Sequence, residues 1–270
     1  MGLTNVVDTM LVTRRLTETA VSGGMLYETA KDIAKKSYGA YAMPQTLFNM
    51  PTTLIYPFAI SALPALSKYY SSGDSERSKK LMESTFRVSS IVALPCALGM
   101  SAMARPIISL IYPNNAITDT VSNIDLAAPC LTVLGLSVFF LGMISVTNSV
   151  LQAYHLQNLT IVSTVCGILI KALSTYILLG IPSVGLTGAA VGTALCYLTI
   201  MIFNIFFIAC KIHFFPSIRR TFLKPLISAA VCIVPCICIY RLMRGVLGDK
   251  LVTLISIAVA AVIYVLLLLI

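Results

Sequence analysis

The residue with the greatest chemical leverage is Lys171, which stands alone in the apolar run GILIKALSTYILL. It lies about eight residues from the nearer helix end at Leu179, hence ~12 Å deep at the 1.5 Å rise of a helix. Centring a lysine in a bilayer costs ~2.5–3.5 kcal/mol on insertion scales. Its ammonium therefore requires either neighbouring carbonyls, a structural role, or a polar cavity in which it faces an anionic headgroup. Asp8 comes second, with Asn5 one turn earlier and Thr9 beside it. A carboxylate there would carry a coupling proton or sodium ion, pair with Lys171, or simply sit at the interface. Asn49 in FNMP, and Asn148 with Gln152 at i and i+4 on one helix face, are weaker signals. Intramembrane amides of this kind either bond between helices or line a path for substrate.

These residues are positioned by elements that the composition identifies. The chain is 58% hydrophobic and 11% charged, less than half the charge of an ordinary soluble domain. No acidic residue occurs between Asp125 and Asp249, and Leu126–Ile170 and Ala172–Cys210 contain no charged residue at all. A spanning helix needs ~20 apolar residues, so the chain is an all-α, polytopic membrane protein. Carboxylate pairs for metal or acid–base chemistry are missing from nearly half of it. The net charge of +9 sits in the connecting segments, where it sets orientation and meets anionic headgroups, which argues against nucleic-acid binding. All eight cysteines lie in or beside apolar runs and read as small hydrophobes; no cofactor is implied.

Hydropathy predicts a partial span, Leu3–Thr13, ending at Arg14-Arg15. Seven full spans follow: Tyr41–Ala65, Val88–Met103, Ala127–Gln152, Leu156–Leu179, Leu186–Cys210, Pro225–Tyr240 and Leu251–Ile270. The chain is expected to begin in mid-helix. Residues 71–87, SSGDSERSKKLMESTFR, predict a separate amphipathic helix on the membrane surface, with Ser72, Gly73 and Asp74 as its start signal. Setting aside the long linker Arg14–Lys36, Lys and Arg concentrate around Lys68–Arg87 and Lys211–Lys224, which places those segments in the cytoplasm. Pro44, Pro51, Pro57 and Pro64 make the second span, Tyr41–Ala65, either a bent packing helix or a cavity-lining gate. Gly188 and Gly192 have the spacing of close helix packing. Walker, GxSxG and HExxH patterns are absent.

A family resemblance rests on the order of several motifs. They are VDTMLVTRRL (7–16), YGAYAMPQTLFNMPTTLIYPFAISALPALSKYY (38–70), ALPCALGM (93–100), RPIISLIYP (105–113), SVLQAYH (149–155) and GLTGAAVGTAL (185–195). Together they resemble the polysaccharide-exporter, lipid II flippase-like branch of the multidrug/oligosaccharidyl-lipid/polysaccharide (MOP) superfamily, nearest to stage V sporulation protein B and its relatives. The resemblance implies one six-helix lobe with its first helix truncated (residues 1–213) followed by two extra transmembrane helices (214–270). It implies partnership with a missing N-terminal six-helix lobe in a bacterial inner membrane. It also implies alternating access for a polyprenyl-pyrophosphate-linked sugar, with a possible coupling ion and no enzymatic step. Where murein-precursor flippases carry an acidic–basic pair, this chain has Gln45 and Thr46. The transport cavity is then expected from Asn5, Asp8, Gln45, Thr46, Asn49, Asn148, Gln152 and Lys171. An organic-cation antiporter of the same superfamily would need more acidic residues in its spans. A polyprenyl-phosphate transferase would need paired carboxylates. A non-transporting structural half-protein is the remaining alternative. Replacing Lys171 by Ala is expected to reduce translocation without reducing abundance; unchanged transport at normal expression would remove Lys171 from the mechanism.

Overall fold

The computed structural model describes residues 2–22, 24, 26–113, 117, 122–181, 184–217, 219–243 and 249–269; the side chains of residues 2–8, 10, 11, 22, 219, 220, 249, 268 and 269 are outside that description. The helices are α1 (Gly2–Ser22), α2 (Tyr27–Ser71), α3 (Ser75–Ala102), α4 (Ala104–Ile111), α5 (Asn123–Ala153), α6 (Gln157–Leu179), α7 (Thr187–Ile212), α8 (Lys224–Met243) and α9 (Asp249–Leu269). A single π-helical turn, Arg219–Leu223, leads into α8. Among the described residues, six helices are long and apolar enough to cross a membrane: α3, α5, α6, α7, α8 and α9. The chain is a multi-pass helical membrane bundle.

The centre of the bundle is α5. It is strongly apolar and the most buried of the six spans, covered along nearly its whole length. Packed around it are α2, α3, α7 and the short α4. Two glycines allow the close approach. A methyl group at Gly135 would stand 2.8 Å from the Ser101 backbone nitrogen of α3, and one at Gly142 would press on Ala93 of α3 and Ile55 of α2. The start of α5 is secured by a reciprocal cap. The Ser122 hydroxyl accepts from the Asp125 N–H at 3.3 Å, and the Asp125 carboxylate accepts from the Ser122 N–H at 3.4 Å. Arg105 of α4 donates to the same carboxylate at 2.8 Å, tying α4 to the head of α5.

Three expectations are corrected. First, α1 does not end at Thr13 but continues to Ser22. Arg14 and Arg15 do not stop it, because both bond Glu18 one turn on, at 2.9 and 3.1 Å, a spacing that supports a helix. The linker expected over Arg14–Lys36 is thus mostly the end of α1 and the start of α2. Second, residues 75–87 are not a separate surface helix but the first half of α3. Ser78, Met82 and Phe86 are buried at four-residue intervals, and Met82 and Phe86 pack with Leu66, Val146 and Val150. That stripe runs on through Ser90 and Leu94, so one 28-residue helix of about 42 Å forms. Its start signal is real: the Asp74 carboxylate accepts from the Arg77 N–H at 3.1 Å. Third, α2 contains the expected Tyr41–Ala65 span but is too polar to join the six apolar helices. It continues through all four prolines. Between them the Asn49 amide and the hydroxyls of Thr52, Thr53 and Ser61 donate to the carbonyls of Gln45, Asn49, Met50 and Phe58 within the same helix.

On one flank of α5, α7 carries α6 against it. Added methyl groups at Gly167 of α6 and Gly192 of α7 would collide with Ile200 and Thr175 of the facing helix, and one at Gly188 would lie 2.8 Å from Leu178. The predicted role of Gly188 and Gly192 in close packing is what the fold uses. On the other flank, α8 and α9 pair and lie against α3 and α4. Leu94, Ala229, Cys232 and Tyr264 form a small core there, and the Tyr264 hydroxyl donates to the Ile91 carbonyl at 2.7 Å. Cys232 acts here as a buried hydrophobe.

Replacing Gly135 by Ala is expected to destabilise the folded chain by about 1–3 kcal/mol through overpacking. Gly39 faces open space within α2, so Gly39→Ala should stabilise by about 0.5–1 kcal/mol. Detergent-titration unfolding of the two variants checks the opposite signs.

Candidate functional site in the helical bundle

A cavity of about 660 Å3 opens between α2, α5, α6 and α7. Its polar lining comes from Thr52, Thr53 and Tyr56 of α2, Ser145 and Asn148 of α5, and Thr164 of α6. Tyr197 and Cys196 of α7 complete one wall, with Leu141, Ile144, Ile168 and Ile200 between the polar groups. No charged side chain is among these lining residues. Several hydroxyls are already committed as donors to their own helices: Thr52 to Asn49, Thr53 to Met50, Ser145 to Leu141 and Thr164 to Thr160. What they present to the cavity is chiefly acceptor lone pairs. The chemistry on offer is neutral hydrogen bonding.

The cavity's walls are cross-tied by polar contacts. Asn204 of α7 is completely buried. Its amide nitrogen donates to Asn148 Oδ1 at 2.8 Å and to Thr147 Oγ1 at 3.0 Å, joining α7 to α5. Farther along α7, the buried Tyr41 of α2 donates to the Ala189 carbonyl at 3.2 Å and lies 3.1 Å from the Thr193 hydroxyl. Two polar clasps therefore fix α7 relative to both α5 and α2. Asn204 was not among the residues singled out from sequence, although its signal is there: a carboxamide inside the apolar run MIFNIFF, of the same kind as Asn148.

Of the expected cavity residues, Asn148 lines this one. Gln152, one turn on, is exposed beyond it. Asn49 lies one turn before Thr52 and Thr53, half-buried, with its amide bonded to the Gln45 carbonyl at 2.7 Å. Gln45 is half-buried, while Thr46 is exposed and bonded to the Ala42 carbonyl at 3.1 Å. Lys171 is only 2% exposed. It shares the buried face of α6 with Ser163, Gly167, Thr175 and Leu179, the face whose Gly167 and Thr175 meet α7, and it does not line the cavity. The side chains of Asn5 and Asp8 lie outside the described residues; their neighbour Thr9 pairs with the Tyr38 hydroxyl at 2.7 Å.

Residues 10–266 match the family model for the lipid II flippase MurJ. The chain belongs to this family. Lipid II flippase MurJ of Bacillus subtilis (strain 168) is 24% identical over 192 residues, covering 68% of this chain and 33% of that protein. A lipid II flippase MurJ solved in an inward closed conformation superposes with a TM-score of 0.59 at 18% identity, over 89% of this chain and 51% of that one. An inward-facing multidrug resistance transporter of the MOP superfamily gives the same TM-score at 16% identity, over 94% and 56%. At these identities the solved structures show a shared fold. The chain thus spans about a third of the curated relative and about half of the solved transporters. The narrower sequence resemblance to stage V sporulation protein B is not part of this assignment.

Asn148→Ala and Asn204→Ala are expected to be non-additive, with a coupling of about 0.5–1.7 kcal/mol, the range of membrane interhelical hydrogen bonds. A double-mutant cycle in detergent unfolding checks this; simple additivity would mean that the clasp contributes nothing.

Proposed function

We propose that this chain forms one half of a flippase that carries a lipid-linked peptidoglycan precursor across a bacterial membrane by alternating access. The observation that supports this most is the family match over residues 10–266. In this reading residues 1–213 act as the second six-helix lobe, residues 214–270 as two additional helices, and a first six-helix lobe is the partner. A polyprenyl-pyrophosphate-linked sugar is the cargo, and an ion gradient supplies the drive. The action is movement of a lipid, with no covalent bond made or broken.

Two features of the chain suit such a cargo. The stretch between Asp125 and Asp249 carries no acidic side chain, so a pyrophosphate meets little repulsion from the apolar spans. The cavity between α2, α5, α6 and α7 offers neutral acceptors suited to sugar hydroxyls. An organic-cation antiporter calls for the opposite electrostatics. Asp8 is assigned to ion coupling, Asn49 and Asn148 to the polar wall of the path, and Lys171, buried off that wall, to charge balance at the contact of α6 with α7.

Cells depleted of their own lipid II flippase provide the test. Co-expression of this chain with the first six-helix lobe of a MurJ relative is expected to restore growth and outward exposure of lipid II. Native mass spectrometry of the same membranes should show a complex heavier than 29.1 kDa that retains polyprenyl-pyrophosphate sugar. An abundant, well-folded chain that restores nothing and carries only bulk phospholipid would refute the assignment.

A further inference from the structure

A second concavity, of about 840 Å3, lies between α1 and α2 at the end where those helices are joined. Its walls are two ladders. On α1, Thr9, Thr13, Thr17 and Val21 recur every fourth residue; on α2, Tyr27, Lys31, Lys35 and Tyr38 follow at four, four and three. Residues so spaced share one helix face, so the antiparallel pair sets a threonine wall opposite a lysine wall. Arg14 and Glu18 complete the lining.

The charges are unequal. Glu18 is the one carboxylate in the lining, against three cations: Arg14, Lys31 and Lys35. Hydrogen bonds from Arg14 and then Arg15 hold its carboxyl below the usual carboxylate range, so its negative charge is already matched. Among the described residues, Lys31 and Lys35 form no ion pair. The Lys31 ammonium stands 5.8 Å from the Tyr27 ring centroid. The threonine wall cannot compete with them as a donor. Thr13 and Thr17 donate to the carbonyls of Thr9 and Thr13 in their own helix and present methyl groups and lone pairs. The hydrogen bond between Thr9 and Tyr38 closes the inner end. The groove therefore combines two ammonium groups spaced one helical turn apart with methyl and aromatic walls. That combination suits a phosphate attached to a less polar body.

We propose that the groove between α1 and α2 is a binding site for a phosphate or diphosphate group, held by Lys31 and Lys35, with the Arg14–Glu18 ion pair at its rim. The site stands independently of the transport assignment, because it rests on the lining alone. The occupant is a lipid headgroup or a soluble phosphate compound, and the two are separable.

The full chain in phosphatidylcholine nanodiscs is titrated with inorganic pyrophosphate by calorimetry. Saturable binding is expected, weakened roughly tenfold or more in Lys31→Gln/Lys35→Gln, as the loss of two cations near a phosphate predicts. The charge-preserving Lys31→Arg/Lys35→Arg should retain it. Lys79→Gln/Lys80→Gln, on α3 at the opposite end of α2, should leave it unchanged. If phosphatidylglycerol added to the nanodiscs displaces pyrophosphate, the site takes lipid headgroups; if it does not, the site takes soluble phosphates. Absence of saturable binding to the unaltered chain would overturn the proposal. Equal affinity in the Lys31/Lys35 glutamine variant would do the same, as would an equal loss in the Lys79/Lys80 variant. None of these readouts involves transport, so failure here and failure of the flippase assignment are told apart.

Discussion

Other helices cover α5 along nearly its whole length, and the arrangement of the bundle follows from how that close packing is achieved. Lipid tails are as apolar as leucine, so the hydrophobic effect contributes little to bringing spans together; close packing and interhelical hydrogen bonds contribute most. Gly135 and Gly142 let α3 and α2 approach α5 closely. Asn204 bonds α7 to it through Asn148 and Thr147. The outer elements depend on this core at second hand: α6 through α7, and the α8–α9 pair largely through α3.

The polar groups divide by depth. Inside the bundle they are mostly neutral, and most are engaged: threonine and serine hydroxyls bond the preceding turn, Tyr41 bonds α7, and Asn204 bonds α5. Unpaired amides and hydroxyls would cost several kcal/mol each in hydrocarbon, which explains the density of such bonds. The charges gather towards the ends, in the α1–α2 groove and on the first turns of α3. Lys171 departs from this pattern. It is a buried cation on the face of α6 that meets α7, and the fold keeps it away from the wall of the α2–α5–α6–α7 cavity.

The expected spans 88–103, 127–152, 156–179, 186–210 and 225–240 each fall inside a helix of the structure to within one residue, and 251–269 of the last span lies in α9. They were legible because an apolar run of membrane length has few alternatives. The errors arose where charge and apolarity share one helix. Residues 75–87 read as surface-bound because their outer face is charged, yet Met82 and Phe86 continue the buried stripe of α3. Arg14 and Arg15 read as a terminus, yet both bond Glu18 within α1. Charge marks the edge of the hydrocarbon layer; it does not mark the end of a helix.

From the sequence alone came the helical membrane class, most of the spans and the family, since these depend on the length of apolar runs and the order of motifs along the chain. Packing decided which polar residues meet. Helix rotation is set by close fits such as Gly167 against Ile200 and Gly192 against Thr175, and no local pattern states those distances. So Asn148 and Asn204 are both legible as intramembrane amides, but their pairing is not. Likewise Lys31 and Lys35 read as part of a charged linker, until the pairing of α1 with α2 stood them opposite the threonine ladder.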